Sequence, residues 1–160
     1  MIKHPIAPVY DAHSTILILG SFPSVKSREE GFFYGHPQNR FWRVLSALFG
    51  GNVPQTVPEK QAFLLQNRVA LWDVICSCDI VGSSDSSIRN VVPNDLAPIL
   101  ETAQIRQIYV NGKKAQDLYC RYLEPVTGRS AVCLPSTSPA NASYNLDKLI
   151  AAWKVILENQ

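Results

Sequence analysis

The chain of 160 residues has no block of like charge, no low-complexity tract and no long hydrophobic run. No stretch approaches the roughly 20 apolar residues needed to cross a bilayer, and the opening MIKHPIAPVYDAH lacks the apolar centre of a signal peptide. A cytoplasmic protein with no membrane partner is therefore expected. Fifteen Lys and Arg against thirteen Asp and Glu leave a net charge of +2, which neither requires nor excludes a nucleic-acid partner, because a local basic face fits within a near-neutral total. Cys76, Cys78, Cys120 and Cys133 form one C-x-C and two distant singles, not the paired C-x-x-C of zinc or iron–sulfur sites. Buried free thiols are expected, with no metal and no organic cofactor. Also missing are G-x-G-x-x-G, G-x-x-x-x-G-K-[ST] and G-x-S-x-G, which removes the usual support for dinucleotide, nucleoside triphosphate or serine hydrolase chemistry.

What is present is an alternation of short apolar runs and helical patterns. TILIL (residues 15–19), VALWDV (69–74), QIYVN (107–111) and AVCL (131–134) read as strands buried on both faces. After the first of these the chain is expected to loop, then to form a helix from Arg40 with Phe41, Val44, Leu45, Leu48 and Phe49 at helical spacing, stopped by Gly50 and Gly51. VPEKQAFLLQN reads as a second helix, with further helices at 96–102, 113–123 and 146–158 and a Ser/Gly/Asp loop at 76–87. The pattern predicts one α/β domain over residues 1–160, a three-layer α/β/α sandwich with a four-stranded parallel sheet. In such sheets ligands lie at the carboxyl ends of the strands, here the loops GSFPS, DVICSCDIVGSSDSS, NGKKA and LPSTSPANAS.

The segment GFFYGHPQNRFW (residues 31–42) sets His36, Gln38, Asn39 and Arg40 among aromatic rings. Phe32, Phe33, Phe41 and Trp42 suit the core at a helix start, and Asn39 suits a helix N-cap. Tyr34, beside Gly35, is the ring expected in a pocket. Ser136 and Ser138 suit turns next to Pro135 and Pro139, and Lys113 and Lys114 open a helix, where cations oppose the dipole.

Taken in order, strand-GSFPS, then YGHPQNRFW, then NGK, then LPSTSP resembles the uracil-DNA glycosylase superfamily over nearly the whole chain, from about Ile16 to the last helix. HPQNRFW is similar to the N-R-F-W segment of the mismatch-specific uracil and thymine enzymes, and the overall pattern is nearest the hypoxanthine-DNA glycosylases, also called DNA-deoxyinosine glycosylases. Phe22 stands where the mismatch-specific branch carries the catalytic Asn of G-x-N-P-G, and the resemblance to the hypoxanthine branch passes that task to Asn39. It also implies a base pocket of Gly20, Ser21, Phe22, Pro23, Tyr34 and His36. DNA contacts are implied at Ser24, Lys113, Ser136, Ser138, Pro139, Ala140 and Asn141, where related enzymes end the last motif in a bulkier wedge.

The implied activity is monofunctional hydrolysis of an N-glycosidic bond in double-stranded DNA by a monomer, with hypoxanthine as the base. A uracil or mismatch enzyme is the alternative, and an inactive relative that only binds damaged DNA, or an enzyme of free nucleosides, are the rivals. A water held through the Asn39 side-chain oxygen would attack the anomeric carbon, while N–H donors near residues 20–23 take up charge on the departing base. Tyr34 and Phe22 are the candidates for stacking on a flipped base. Asp85, in a Gly-Ser-x-Asp-like stretch at the same sheet end, is either a further site residue or part of a surface turn.

Overall fold

The computed structural model describes residues 1–159. Its centre is β2 (Ile16–Gly20), whose five residues are all buried. Side chains alternate across a strand, so Ile16 and Ile18 enter one apolar cluster and Leu17 and Leu19 the other. β3 (Val69–Asp73) and β6 (Gln107–Asn111) pair with β2 in parallel, and β7 (Ala131–Leu134) adds to β6, giving the order β3-β2-β6-β7. The first cluster is closed by α2 (Phe41–Phe49), α3 (Val57–Gln66) and α6 (Leu146–Trp153), through Phe41, Val44, Leu45, Leu64, Leu149 and Trp153. Burying each of these large apolar side chains contributes about 1.5–3 kcal/mol. α4 (Ala97–Thr102) and α5 (Lys113–Leu118) cover the other face with Ile99, Ala115 and Leu118. The expected four-stranded parallel sheet between helices is therefore present.

Three features depart from the expectation. The stretch expected to be a loop at 76–87 begins inside β4 (Ile75–Asp79), which pairs antiparallel with β1 (Ile2–Lys3) and with β5 (Arg89–Pro93) to make a second, three-stranded sheet. Ile75 and Cys78 of β4 join the second core cluster, so this sheet completes that layer beside the helices. Its polar residues are tolerated because the outward face is wet, as antiparallel sheets permit. The chain after β2 does not simply loop. It forms α1 (Val25–Glu30), too short to show a periodic apolar stripe but capped at its start by the Ser24 hydroxyl and at its end by Gly31 in the left-handed region. Finally, the thiols are free but mostly not buried: Cys78 alone is buried, while Cys76, Cys120 and Cys133 are exposed. Cys76 points outward by strand alternation between buried Ile75 and Ser77, and Cys133 lies on the edge strand β7.

Among the described residues no helix is long and apolar enough to cross a membrane, and no group of three or more His, Cys, Asp or Glu could hold a metal ion.

Candidate active site

A cavity of about 380 Å³ opens at the carboxyl ends of β2, β3 and β6, within the range of roughly 300–1,000 Å³ typical of small-ligand pockets. Its wall includes Gly20, Ser21, Phe22, Pro23 and Ser24 from the loop after β2, and Tyr34, His36 and Asn39 from the segment before α2. The loop after β7 supplies Ser136, Thr137, Ser138, Pro139 and Ala140. Lys113 and Asn141 are the two expected site residues outside this wall. Lys113 is exposed at the start of α5, whereas Lys114 carries the nearer charge, acting on Asp85. Asn141 stays inside its own loop, donating from Nδ2 to Ser136 O at 3.0 Å.

Asn39 sits half-buried just ahead of α2, and its orientation is fixed by what its oxygen accepts. Oδ1 takes the Phe41 N–H at 2.9 Å and the Thr137 hydroxyl at 2.9 Å. Thr137 is fully buried, and its own direction is set by Asn111, which accepts from Thr137 N at 3.1 Å and donates from Nδ2 to Thr137 Oγ1 at 3.1 Å. The donors run one way, from Asn111 through Thr137 to Asn39. An amide oxygen has two lone pairs, and both are used. The expectation that water is held through this oxygen is thereby corrected: the group left for the cavity is the Nδ2 amide, a donor. The capping expectation holds in a shifted form, since Arg40 occupies the cap position without a side-chain bond while Asn39 accepts from the first helical N–H.

Arg40 makes the loop after β7 rigid. Its guanidinium donates to Ser138 O at 2.8 Å, Asn141 O at 3.2 Å, Thr137 O at 3.4 Å and Tyr144 O, and its backbone N–H reaches Thr137 O at 3.1 Å. One side chain thus binds four carbonyls of residues 137–144, using the fork of donors that only Arg provides.

The other side of the cavity holds Asp73, at the end of β3 and 3 % exposed. Its Oδ2 lies 2.7 Å from His4 Nε2. A side chain at Gly20 would place its Cβ 2.5 Å from Asp73 Oδ1 and 2.9 Å from the Tyr34 hydroxyl, so glycine is needed where these two oxygens converge. Tyr34 has φ of +52°, a left-handed conformation costly for a bulky residue, at about 1–3 kcal/mol, and characteristic of functional sites. One face of its ring stacks on Phe41 at 4.0 Å and 18°. Its hydroxyl is buried without a hydrogen-bond partner. Burial, and secondarily the Asp73 charge, push this phenol far above its ordinary value, with the Asn111 amide opposing, so it stays a protonated donor.

Phe22 is nearly buried, packs T-shaped against His4 at 5.8 Å and carries the Arg28 guanidinium 5.6 Å above its ring. That leaves Tyr34 the better stacking surface. His36 is exposed, and its Nδ1 accepts the Gln38 N–H at 3.1 Å. The Ser24 hydroxyl is committed to capping α1. Asp85 lines the cavity mouth, 3.4 Å from the Ser21 hydroxyl. Desolvation pushes its carboxyl up, while Ser21 and Lys114 act against the rise. Sequence reasoning missed Asp73, Asn111, Thr137 and His4. The first two had a signal, a polar residue ending an otherwise apolar strand at the ligand-binding edge of the sheet.

The parallel four-stranded sheet thus carries an Asn-bearing segment, a Pro-flanked serine loop and a cavity at its carboxyl edge, the place where α/β folds hold small ligands. Residues 7–157 match the Uracil DNA glycosylase superfamily, and the chain belongs to it. More particularly, it is 34% identical over 164 residues to a hypoxanthine DNA glycosylase of Methanosarcina acetivorans, covering 99% of this chain and 100% of that one. It is 32% identical over 146 residues to a protein of the same name from Methanosarcina barkeri, covering 88% and 89% of the two chains. A solution NMR structure of a candidate uracil DNA glycosylase from M. acetivorans superposes with a TM-score of 0.79 at 33% identity, over 98% of this chain and 99% of that one.

Proposed function

We propose that this chain hydrolyses the N-glycosidic bond of a deaminated base, hypoxanthine first among them, turned out of double-stranded DNA into the cavity. The observation that carries this reading is the Asn111–Thr137–Asn39 relay, which holds an amide at the cavity wall in a single orientation. Such pre-setting is what a positioning catalyst needs. Breaking the bond builds positive charge on the sugar and negative charge on the base. Nδ2 of Asn39 donates to a water and leaves its second lone pair for the anomeric carbon; the C–N electron pair leaves with the base, and the proton shed by the attacking water neutralises the departing base anion. An amide donor does not make that water more basic, so the mechanism relies on a cation-like transition state and on placement. The Asp85 carboxylate at the cavity mouth favours the positive sugar. Charge on the base is met by the Phe22 N–H, which no acceptor takes among the described residues; Pro23 has no N–H to offer.

The flipped base stacks on the open face of Tyr34, and Asp73 Oδ1 accepts its ring N–H. The enzyme acts as a monomer in the cytoplasm, with Ser136, Ser138, Pro139 and Ala140 facing the DNA and Lys114 replacing Lys113 as the nearer cation. Uracil is the second reading, favoured by the superposition on a candidate uracil enzyme and by the ring N–H that uracil also presents. The test is single-turnover excision from labelled duplexes carrying one hypoxanthine, uracil, xanthine or mismatched thymine, followed by alkaline cleavage of abasic sites. Product from hypoxanthine at the highest rate supports the reading, and no product from any duplex removes it.

A further inference from the structure

His4 lies in the N-terminal segment, far in sequence from every motif that points to the site, yet its side chain is only 2% exposed and its partner Asp73 only 5%. The segment is bolted down beside β4: His4 N donates to Cys76 O at 2.7 Å, and the Trp72 indole donates to Ile6 O at 3.1 Å. The ring packs T-shaped against Phe22 and Trp72, with centroids 5.8 and 6.3 Å apart. Its tautomer follows from its partners. The Ile6 N–H donates to Nδ1 at 3.1 Å, so Nδ1 carries the lone pair, Nε2 carries the proton, and the bond to Asp73 runs from Nε2–H to Oδ2. With Oδ2 held, Oδ1 is turned toward Gly20 and the Tyr34 hydroxyl on the cavity side. Among the described residues no protein donor satisfies it.

We propose that His4 is a positioning residue that locks Asp73 as a hydrogen-bond acceptor, and that the pair reads deamination itself. The proposal rests on the functional reading above. Deamination of adenine turns N1 from a bare acceptor into N–H, and deamination of cytosine does the same at N3. A fixed acceptor pairs with either product and faces a lone pair in either parent base, a mismatch that leaves a buried polar group unpaired. One device thus serves hypoxanthine and uracil alike. Guanine carries N1–H too, so the pair separates deaminated bases from adenine and cytosine and not from guanine.

The experiment compares single-turnover excision of hypoxanthine with that of unsubstituted purine, whose N1 bears no hydrogen, in full-length wild-type, His4→Leu and His4→Gln proteins. The intrinsic difference between the two leaving groups cancels when variants are compared. His4→Leu frees Asp73 to turn, and the hypoxanthine-to-purine ratio falls about tenfold or more. His4→Gln keeps an N–H donor, and the ratio stays near the wild-type value. An unchanged ratio in His4→Leu overturns the proposal, even if both rates drop together, because that is what a purely structural residue would do. Should His4→Leu fail to fold by circular dichroism, Asp73→Asn carries the same test, and a ratio unchanged there overturns it too. Wild-type excision with an unchanged variant ratio refutes only this inference, whereas no wild-type product from any duplex refutes the function and the inference together.

Discussion

On one side of the cavity, the Asn39 oxygen, the Thr137 hydroxyl and both ends of the Asn111 amide have protein partners, and Arg40 ties the neighbouring loop through four carbonyls. On the other, the Tyr34 hydroxyl has no partner, and Asp73 is held through one oxygen alone. Buried polar groups are normally satisfied, so an orphan calls for a reason. The contrast teaches a division of labour. Under the proposed function, the side assigned to the water and to the DNA-facing loop is held still, while the side assigned to the base keeps unfilled hydrogen-bonding capacity for a ligand.

The sharpest way to break this contrast is at Asn39. Asn39→Ala loses about 10²–10³-fold in single-turnover excision, and binding of an abasic duplex, measured by fluorescence anisotropy, changes little. Asn39→Asp refines the point, because it keeps the acceptor for Phe41 and Thr137 and puts a carboxylate oxygen, which cannot donate, in place of the amide N–H. It is expected to be as impaired as Asn39→Ala, and wild-type rates in Asn39→Asp would show that the oxygen does the work. Next in size is Arg40→Lys, which retains the charge but not the fork. It destabilises the protein by about 2–3 kcal/mol, as carbonyls lose charge-assisted bonds, and limited proteolysis then cuts within residues 137–144. Thr137→Val breaks the relay and costs about 1–2 kcal/mol in urea unfolding, by stranding Asn111 Nδ2 and leaving Asn39 Oδ1 with the Phe41 N–H alone. Tyr34→Phe should differ in sign: removing an unpartnered hydroxyl leaves stability unchanged or raises it by up to about 1 kcal/mol. Equal losses in Thr137→Val and Tyr34→Phe would erase the distinction between the two sides.

The parallel sheet was legible because its strands are short, continuously apolar and ended by polar or glycine residues, and the helix after Arg40 because its apolar spacing is regular. β4 and β5 were not, since a half-wet antiparallel pair carrying Ser, Cys, Asp and Pro has the composition of a loop. α1 was missed because six residues are too few to show a period. At the site, the motif residues flanking β2, α2 and β7 converge as their loops suggested. The orientation of the Asn39 amide was beyond reach from sequence, because it depends on Thr137 and Asn111, distant along the chain. His4 gave no signal at all, lying outside every periodic element and being recruited only by the fold.

Arg40 grips main-chain oxygens and no side chain of the loop it shapes. Its hold is therefore indifferent to spelling: the letters between positions 138 and 144 can be rewritten wherever the backbone path survives. Evolution or an engineer can retune how this edge meets a nucleic acid without rebuilding the frame that carries it.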